Sequence, residues 1–354
     1  MRRVIGLAKQ GLGRVSPNPL VGCVIYKDGV KIGEGLHEKF GGPHAEVNAI
    51  GSVTNPADLA GSELFVNLEP CCHFGKTPPC TNLIIQSGIK RVVISNLDPF
   101  EKVSGNGVKQ LREAGIEVII GVMETEGAEL NRPFFFSQKN KLPFVTVKIA
   151  QTADGRISTV SGQSKWITGE SSRKDVQNLR FASDAVLTGS GTAKADNPSL
   201  TVRLDGNDKQ PFRILLDSHL SVPAESNLFT DSFSSKTIVF HSDQITGPCG
   251  PKSSFLPVSE AENGLNLHQI LEICFKKGIH QILVEAGPGV VTSLLKSGLV
   301  NQLVIYQAGK LLGNGKSWFE NPDILQTVSD GIQLKLDSVE MIQNDLKISY
   351  LLKD

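Results

Sequence analysis

The chain has 354 residues, more than one compact core usually holds, so two domains are expected. Lys plus Arg and Asp plus Glu each total 36, and a net charge of zero argues against a partner held by its phosphate backbone, such as a long nucleic acid. Hydrophobic residues make up 40% and charged residues 20%, a globular composition and not a disordered one, and no apolar run reaches bilayer-spanning length.

Met1 to Gln10 carries Arg2, Arg3 and Lys9 around a short apolar stretch and has no cleavage site, so it reads as an amphipathic first helix. Leu20 to Tyr26 and Lys31 to Gly35 flank Asp28-Gly29, a hairpin signal. His44 to Ile50 reads as a helix, Glu63 to Leu68 as a strand, Thr81 to Ser87 as a helix and Arg91 to Ser95 as a strand. Val108 to Ala114 (helix), Ile116 to Ile120 (strand) and Glu124 to Asn131 (helix) continue an α/β alternation with a largely buried sheet. Arg132-Pro133-Phe134-Phe135-Phe136 and Gln138 to Pro143 then read as a break. The expected domains are 1–143 and 144–354.

A second α/β unit opens at Phe144 to Ala150. Further strands are expected at Asp184 to Thr188, Phe212 to Asp217, Thr237 to His241, Gln281 to Glu285 and Gln302 to Gln307, with helices near Ser171 to Arg180, Leu265 to Lys277 and Val290 to Lys296.

The sharpest chemical signal is His44-Ala45-Glu46 followed by Pro70-Cys71 and, nine residues on, Cys80. Three of the six cysteines (Cys71, Cys72, Cys80) fall within ten residues, which in a chain without a secretion signal suggests metal binding in the cytosol more than disulfides. A hydrolytic zinc takes three protein ligands and leaves one position for water, and imidazole with two thiolates suits that ion. Zinc brings the pKa of water to about 7, and a carboxylate must then move the protons; Glu46 stands two residues from His44 for that purpose. The spacing Cys-x8-Cys is longer than the Cys-x2-Cys of the usual zinc-deaminase signature. A structural zinc site closed by Cys72 or His73 is the alternative.

Ser16-Pro17-Asn18-Pro19-Leu20-Val21-Gly22-Cys23-Val24, His44-Ala45-Glu46-Val47 and Leu68-Glu69-Pro70-Cys71 through Gly75-Lys76-Thr77-Pro78-Pro79-Cys80 resemble the bifunctional riboflavin-biosynthesis deaminase–reductases of the RibD type. In the second half Asp154-Gly155-Arg156, Ser164-Lys165-Trp166-Ile167-Thr168, Ala195 through Arg203, Leu216-Asp217-Ser218 and the Glu285 segment resemble the reductase domain of the same family. The resemblance implies a cytidine-deaminase-like three-layer α/β/α domain followed by a dihydrofolate-reductase-like α/β domain. It implies one Zn2+ per chain on His44, Cys71 and Cys80, with Glu46 as proton shuttle. It implies NADPH against Ala150, Trp166, Thr192, Asp196, Ser218 and Gly287, Pro288, Gly289, Val290, Val291, Thr292 and Ser293. Substrate contacts then fall on Ser164, Arg180, Leu200, Arg203 and Glu285, with Lys148 near the hydride-accepting carbon. The implied activity is hydrolytic deamination of a phosphorylated pyrimidine, then NADPH-dependent reduction of its ribose to a ribityl chain, in a cytoplasmic homo-oligomer (dimer or tetramer) with no nucleic-acid or membrane partner.

Several positions keep two readings. Asn18 offers an amide to substrate or makes an Asx turn. His37 contacts the pyrimidine or is an exposed strand-end histidine. Lys76 meets the substrate phosphate or is solvated, and Gly75-Lys76-Thr77 is no P-loop because the preceding glycine is missing. Gly287-Pro288-Gly289 is a phosphate-approach turn or a plain strand-to-helix turn. Arg180 and Arg203 offer two guanidinium forks to a phosphate, the alternative for Arg180 being a surface salt bridge. A nucleic-acid base deaminase fused to an unrelated domain shares the zinc pattern, but the neutral charge and 6% aromatics oppose it.

Overall fold

The computed structural model describes all residues except 74–77, 101, 102, 208, 246–252, 263, 321–324, 353 and 354. The chain divides into two compact units, Met1–Leu142 and Pro143–Asp354. No helix among the described residues is long and apolar enough to cross a membrane.

In the first unit, strands β1 (Gly22–Lys27), β2 (Val30–Leu36), β3 (Glu63–Leu68), β4 (Arg91–Asn96) and β5 (Glu117–Ile120) form one sheet in the order β2-β1-β3-β4-β5. β1 runs antiparallel to both neighbours, and β3, β4 and β5 are parallel. Asp28 (φ 49°) and Gly29 (φ 79°) both take the left-handed conformation that a two-residue hairpin turn with the twist of its strands requires. The helices are α1 (Arg2–Ala8), α2 (Ala45–Gly51), α3 (Cys80–Gln86), α4 (Asn106–Glu113), α5 (Glu124–Leu130) and α6 (Arg132–Asn140). Strand alternation sorts the core into two layers. Cys23, Ile25, Leu64 and Val66 pack with Ala49, Ile84 and Leu111 of α2, α3 and α4, whereas Val24 packs on the other side with Val4 and Leu7 of α1. The Phe-rich stretch expected to be a break is instead α6, with Pro133 in its first turn where no amide partner is needed.

Helix α2 lies unusually close to β2. A Cβ on Gly33 would come within 2.6 Å of the Ala49 carbonyl oxygen, and one on Gly35 would collide with the Ala49 amide nitrogen. The two glycines thus fix the height of the helix that begins at His44.

In the second unit the strands are β6 (Phe144–Thr152), β7 (Arg156–Ser158), β8 (Ala185–Gly189), β9 (Phe212–Leu216), β10 (Thr237–Ser242), β11 (Ser254–Val258), β12 (Glu260–Ala261), β13 (Gly264–Leu265), β14 (Gln281–Val284), β15 (Gln302–Ala308), β16 (Lys316–Ser317), β17 (Leu334–Ile342) and β18 (Asp345–Leu352). The helices are α7 (Glu170–Ala182), α8 (Ser190–Asp196), α9 (Asn227–Thr230), α10 (Leu267–Lys276) and α11 (Pro288–Lys296). Nine strands form one sheet in the order β11-β10-β9-β8-β14-β6-β15-β18-β17. It is parallel from β11 to β15, and β18 and β17 are added antiparallel at the edge. Buried runs without alternation, such as Ala185–Gly189 and Thr237–Ser242, are what a parallel sheet covered on both faces demands. β12 with β13 and β16 with β7 make two small ladders. The β17–β18 hairpin had no counterpart among the expected strands.

Replacing Gly35 with Val should lift α2 from β2, lowering the melting temperature of the first unit and costing about 1–3 kcal/mol of overpacking. Zinc affinity, read by chelator competition, should weaken at least ~10-fold. Gly51→Ala in the same helix, where a Cβ meets open space, should change neither.

Candidate active sites

In the first unit three chain segments meet at one end of the sheet. His44 precedes the first turn of α2, Cys71 follows β3, and Cys80 opens α3. His44 Nδ1 lies 3.5 Å from Cys71 Sγ and 3.3 Å from Cys80 Sγ, and the three ligand atoms all fall within 4.8 Å of one another. The Cys80 amide donates to Cys71 Sγ at 3.4 Å and the Thr81 amide to the Cys71 carbonyl at 3.2 Å, so the start of α3 holds the loop in place. This donor set suits zinc. Cys72 and His73 lie outside the cluster, and the His73 ring packs against Phe100 at 5.8 Å instead. The hydrogen bond from Cys80, aided by His44, pulls the Cys71 thiol down, and that bond together with burial pushes Cys80 up.

Glu46 is buried, 3% exposed, in the first turn of α2. Burial, and next the Cys71 thiolate, push that carboxyl up to about 7. His37 is not the exposed strand-end residue of the blander reading, because it is 3% exposed. Its Nδ1 faces the Pro43 carbonyl at 2.9 Å and therefore carries the hydrogen, leaving Nε2 to accept from Asn18 Nδ2 at 3.0 Å. The His37 ring also meets the His44 ring edge-on at 5.7 Å. Asn18 is thereby linked through His37 to the ring of His44. Lys76 lies outside the described residues.

Several supports were not foreseen. The Glu69 carboxylate is buried and accepts from the amides of Asp98 (3.3 Å), Gly105 (2.9 Å) and Val108 (3.1 Å), which ties the segment after β4 to the start of α4. Leu20 is gripped twice. Asn131 Nδ2 and Asn67 Nδ2 both donate to its carbonyl (2.9 and 2.8 Å), while its amide donates to Asn131 Oδ1 at 2.8 Å. Asn67 also accepts from the Gly22 amide at 2.8 Å. Only the position of Glu69 inside the Leu68-Glu69-Pro70-Cys71 motif hinted at such a part.

In the second unit a cleft of about 940 Å³ opens where the parallel strands end. β14 stops at Val284 opposite Val147, so Lys148 and Ala150 of β6 face the opening next to Glu285. A cleft beyond the carboxyl ends of parallel strands is the usual ligand position in such sheets. Of the expected cofactor residues, Ala150, Trp166, Thr192, Asp196, Ser218 and Gly287 through Val290 line it together with Ser293. Val291 and Thr292 do not. Helical periodicity turns them inward, Val291 being wholly buried and Thr292 Oγ1 accepting from the Glu320 amide at 3.1 Å. Thr192 Oγ1 accepts from the Gly287 amide at 2.9 Å, which fastens the Gly-Pro-Gly turn to α8. Trp166 is not a core residue; it is 63% exposed, with the Arg173 guanidinium 4.4 Å above its ring.

Ser164, Arg180, Leu200, Arg203, Glu285 and Lys148 all line the same cleft. Arg180, however, is neither a surface salt bridge nor a free fork. Its Nε and Nη2 donate to the two Glu285 oxygens at 2.6 and 3.1 Å, and its Nη1 to the Thr201 carbonyl at 2.8 Å. Lys148 Nζ stands 3.3 Å from the same carboxylate. Burial alone would raise the Glu285 carboxyl, but Arg180 and Lys148 outweigh it and hold it at about 2. Of the two guanidinium groups expected for phosphate, only Arg203 is exposed. The sequence reading also missed Tyr306, which lines the cleft and donates to Asp175 Oδ2 at 2.6 Å, and Gln177, whose Oε1 accepts from the Arg203 amide at 3.0 Å.

Residues 1–96 match the model of the cytidine and deoxycytidylate deaminase zinc-binding region, and residues 143–348 match the RibD C-terminal domain. The riboflavin biosynthesis protein RibD of Actinobacillus pleuropneumoniae is 43% identical, covering 99% of this chain and 94% of its own, and that of Aquifex aeolicus is 42% identical, covering 99% and 97%. Among solved structures, a diaminohydroxyphosphoribosylaminopyrimidine deaminase/5-amino-6-(5-phosphoribosylamino)uracil reductase from Thermotoga maritima is 40% identical with a TM-score of 0.89, covering 100% of this chain and 97% of the other. Acinetobacter baumannii RibD (form 1) is 34% identical with a TM-score of 0.90, covering 100% and 98%.

Glu285→Gln should strand the Arg180 charge and destabilise the second unit by about 3 kcal/mol at neutral pH. A carboxyl held below its unfolded value stabilises the fold above that value, so the wild-type advantage should fade as pH falls from about 4.5 toward 2. Melting temperatures of both proteins across that range should converge.

Proposed function

The chain belongs to the RibD family of riboflavin biosynthesis proteins, bifunctional deaminase–reductases, and from that premise we propose that its first unit carries the deamination and its second the reduction. The substrate of the first step is diaminohydroxyphosphoribosylaminopyrimidine, and that of the second is the resulting 5-amino-6-(5-phosphoribosylamino)uracil. One observation carries this reading: three soft ligand atoms within 4.8 Å of one another stand beside a buried carboxylate, Glu46, that is not among them.

One zinc ion per chain on His44, Cys71 and Cys80 supplies the Lewis acidity that brings the pKa of water to about 7. Glu46 takes the proton from the attacking water and gives it to the amine that departs as ammonia. Its burial keeps that proton from the bulk solvent. His37, with its Nδ1 hydrogen on Pro43, fixes the Asn18 amide against the pyrimidine ring.

In the second unit the cofactor is NADPH, which supplies the hydride. The start of α11, beginning with the Gly289 amide, lets its phosphate approach the backbone, while Thr192 holds the turn through the Gly287 amide. Trp166, Asp196, Ser218 and Ala150 line the rest of that stretch of cleft. Arg203, exposed and anchored through its amide by Gln177, takes the ribose phosphate of the substrate. Glu285 and Lys148 present fixed charges to the pyrimidine, with Arg180 holding the carboxylate in position, and Ser164 and Leu200 complete the substrate side. The enzyme works in the cytoplasm as a homo-oligomer, a dimer or tetramer.

Incubation of the purified chain with the diaminopyrimidine ribotide, following ammonia and NADPH separately, tests the whole reading; release of ammonia without any NADPH oxidation would remove the second half of it. Glu46→Gln should lower ammonia release by about 10²–10⁴-fold while one zinc per chain stays bound, measured by metal analysis. Stripping zinc with a chelator should abolish ammonia release yet leave NADPH oxidation intact when the deaminated ribotide is supplied.

A further inference from the structure

Helix α7 starts without a cap of its own, and the group that replaces one comes from a distant strand. The first amides of a helix find no partner inside it, and a side chain near the start usually supplies one. Gly169, at the capping position, has no side chain to offer. Ser172, three residues on, stands where a capping box has Glu or Gln reaching back to the Gly169 amide, and it is too short to do so. Asp345, the first residue of β18, closes the gap. Its Oδ2 accepts from the Gly169 amide at 2.7 Å and from Ser172 Oγ at 2.6 Å, and the residue is buried.

The turn fixed in this way carries one wall of the cleft. Ser164 through Thr168 line the cleft and run straight into Gly169. Arg173, one turn into α7, reaches back over them. Its Nη1 donates to the Thr168 carbonyl at 2.8 Å while its guanidinium lies on the Trp166 ring. Lys310, just beyond β15, donates from Nζ to the Trp166 carbonyl at 2.9 Å. Trp166 has little core around it, so its place depends on Arg173 and Lys310, and the place of Arg173 depends on the first turn of α7.

We propose that Asp345 is a positioning residue of the reductase: acting through Gly169, Ser172 and Arg173, it holds Trp166 on the cofactor side of the cleft. Asp345 is not among the described residues that line the cleft. The rest of α7 has its own anchor, because Asp175 Oδ2 accepts from the Tyr306 hydroxyl and pairs with Lys347 at 2.8 Å. Losing Asp345 therefore frees the first turn and leaves Gln177 and Arg180, on the substrate side, seated. The inference rests on the reading of the second unit as an NADPH-dependent reductase.

NADPH titration of the full chain, with steady-state reduction of the deaminated ribotide, tests it. Asp345→Ala should weaken NADPH binding and raise its KM at least ~10-fold, with kcat within ~3-fold and the ribotide KM within ~2-fold of wild type. Asp345→Asn, whose amide oxygen can take both hydrogen bonds, should bring NADPH binding back to within ~3-fold of wild type. Trp318→Phe leaves Trp166 as the single indole of a chain with two tryptophans. In that background Asp345→Ala should lower the fluorescence anisotropy of Trp166. Ammonia release should stay at the wild-type rate throughout. Should Asp345→Ala fail to fold, Ser172→Ala removes one of the two bonds and should weaken NADPH binding ~3-fold with a similar loss of anisotropy. Unchanged NADPH affinity in these variants, or a fall in kcat alone, overturns the role of Asp345. A wild-type chain that binds no NADPH overturns the reductase reading beneath it.

Discussion

Everything the first unit does depends on bringing an imidazole and two thiols from three separate segments to within 4.8 Å. Like charges on two thiolates would drive those segments apart, so the fold must hold them mechanically before any ion neutralises them. Backbone amides of Cys80 and Thr81 grip Cys71, and glycines on β2 set the depth of the helix that starts at His44. The rigidity lies in the scaffold. The same helix then carries Glu46, two residues on, into a pocket whose burial raises its proton affinity. One element thus brings both His44, at its start, and the buried Glu46 to the same end of the sheet.

The second unit solves a different problem, that of keeping charge inside a cleft. Glu285 would be costly to bury alone, but Arg180 meets it bidentately and Lys148 completes the set. The guanidinium that looked free for substrate is therefore part of the wall. Arg203 stays exposed in the same cleft, which the Gly-Pro-Gly turn and Lys165, Arg173 and Lys316 also line.

The grouping of His44, Cys71 and Cys80 was legible because it is written in short spacings: a His-x-Glu pair and two cysteines nine residues apart. The alternation of strand and helix in the first unit was legible for the same reason, its hydrophobic periods being local. What escaped depends on distance along the chain. Arg180 and Glu285 are 105 residues apart, and no spacing rule links them. His37 looked like an exposed end because its burial comes from contacts with Asn18, Pro43 and His44. Val291 and Thr292 sat inside a motif whose helical turn sends two of its seven members into the core. The final hairpin was invisible because a register shift between Leu336 and Ser338 breaks the two-residue period on which strand recognition relies. The phenylalanine run was misread since Pro133 looked like an interruption, whereas at a helix start it is an invitation.

The double grip on Leu20 has a consequence for where this catalytic module really ends. The stretch that matches the deaminase zinc-binding region stops at residue 96, yet the backbone beside Asn18 is held by Asn131, and Glu69 anchors amides as far as Val108. Cutting the chain at the edge of the recognisable motif would leave a buried carboxylate and a buried carbonyl short of partners while His44, Cys71 and Cys80 all remained in the chain. The smallest excisable deaminase therefore extends through the helices that hold no chemistry at all.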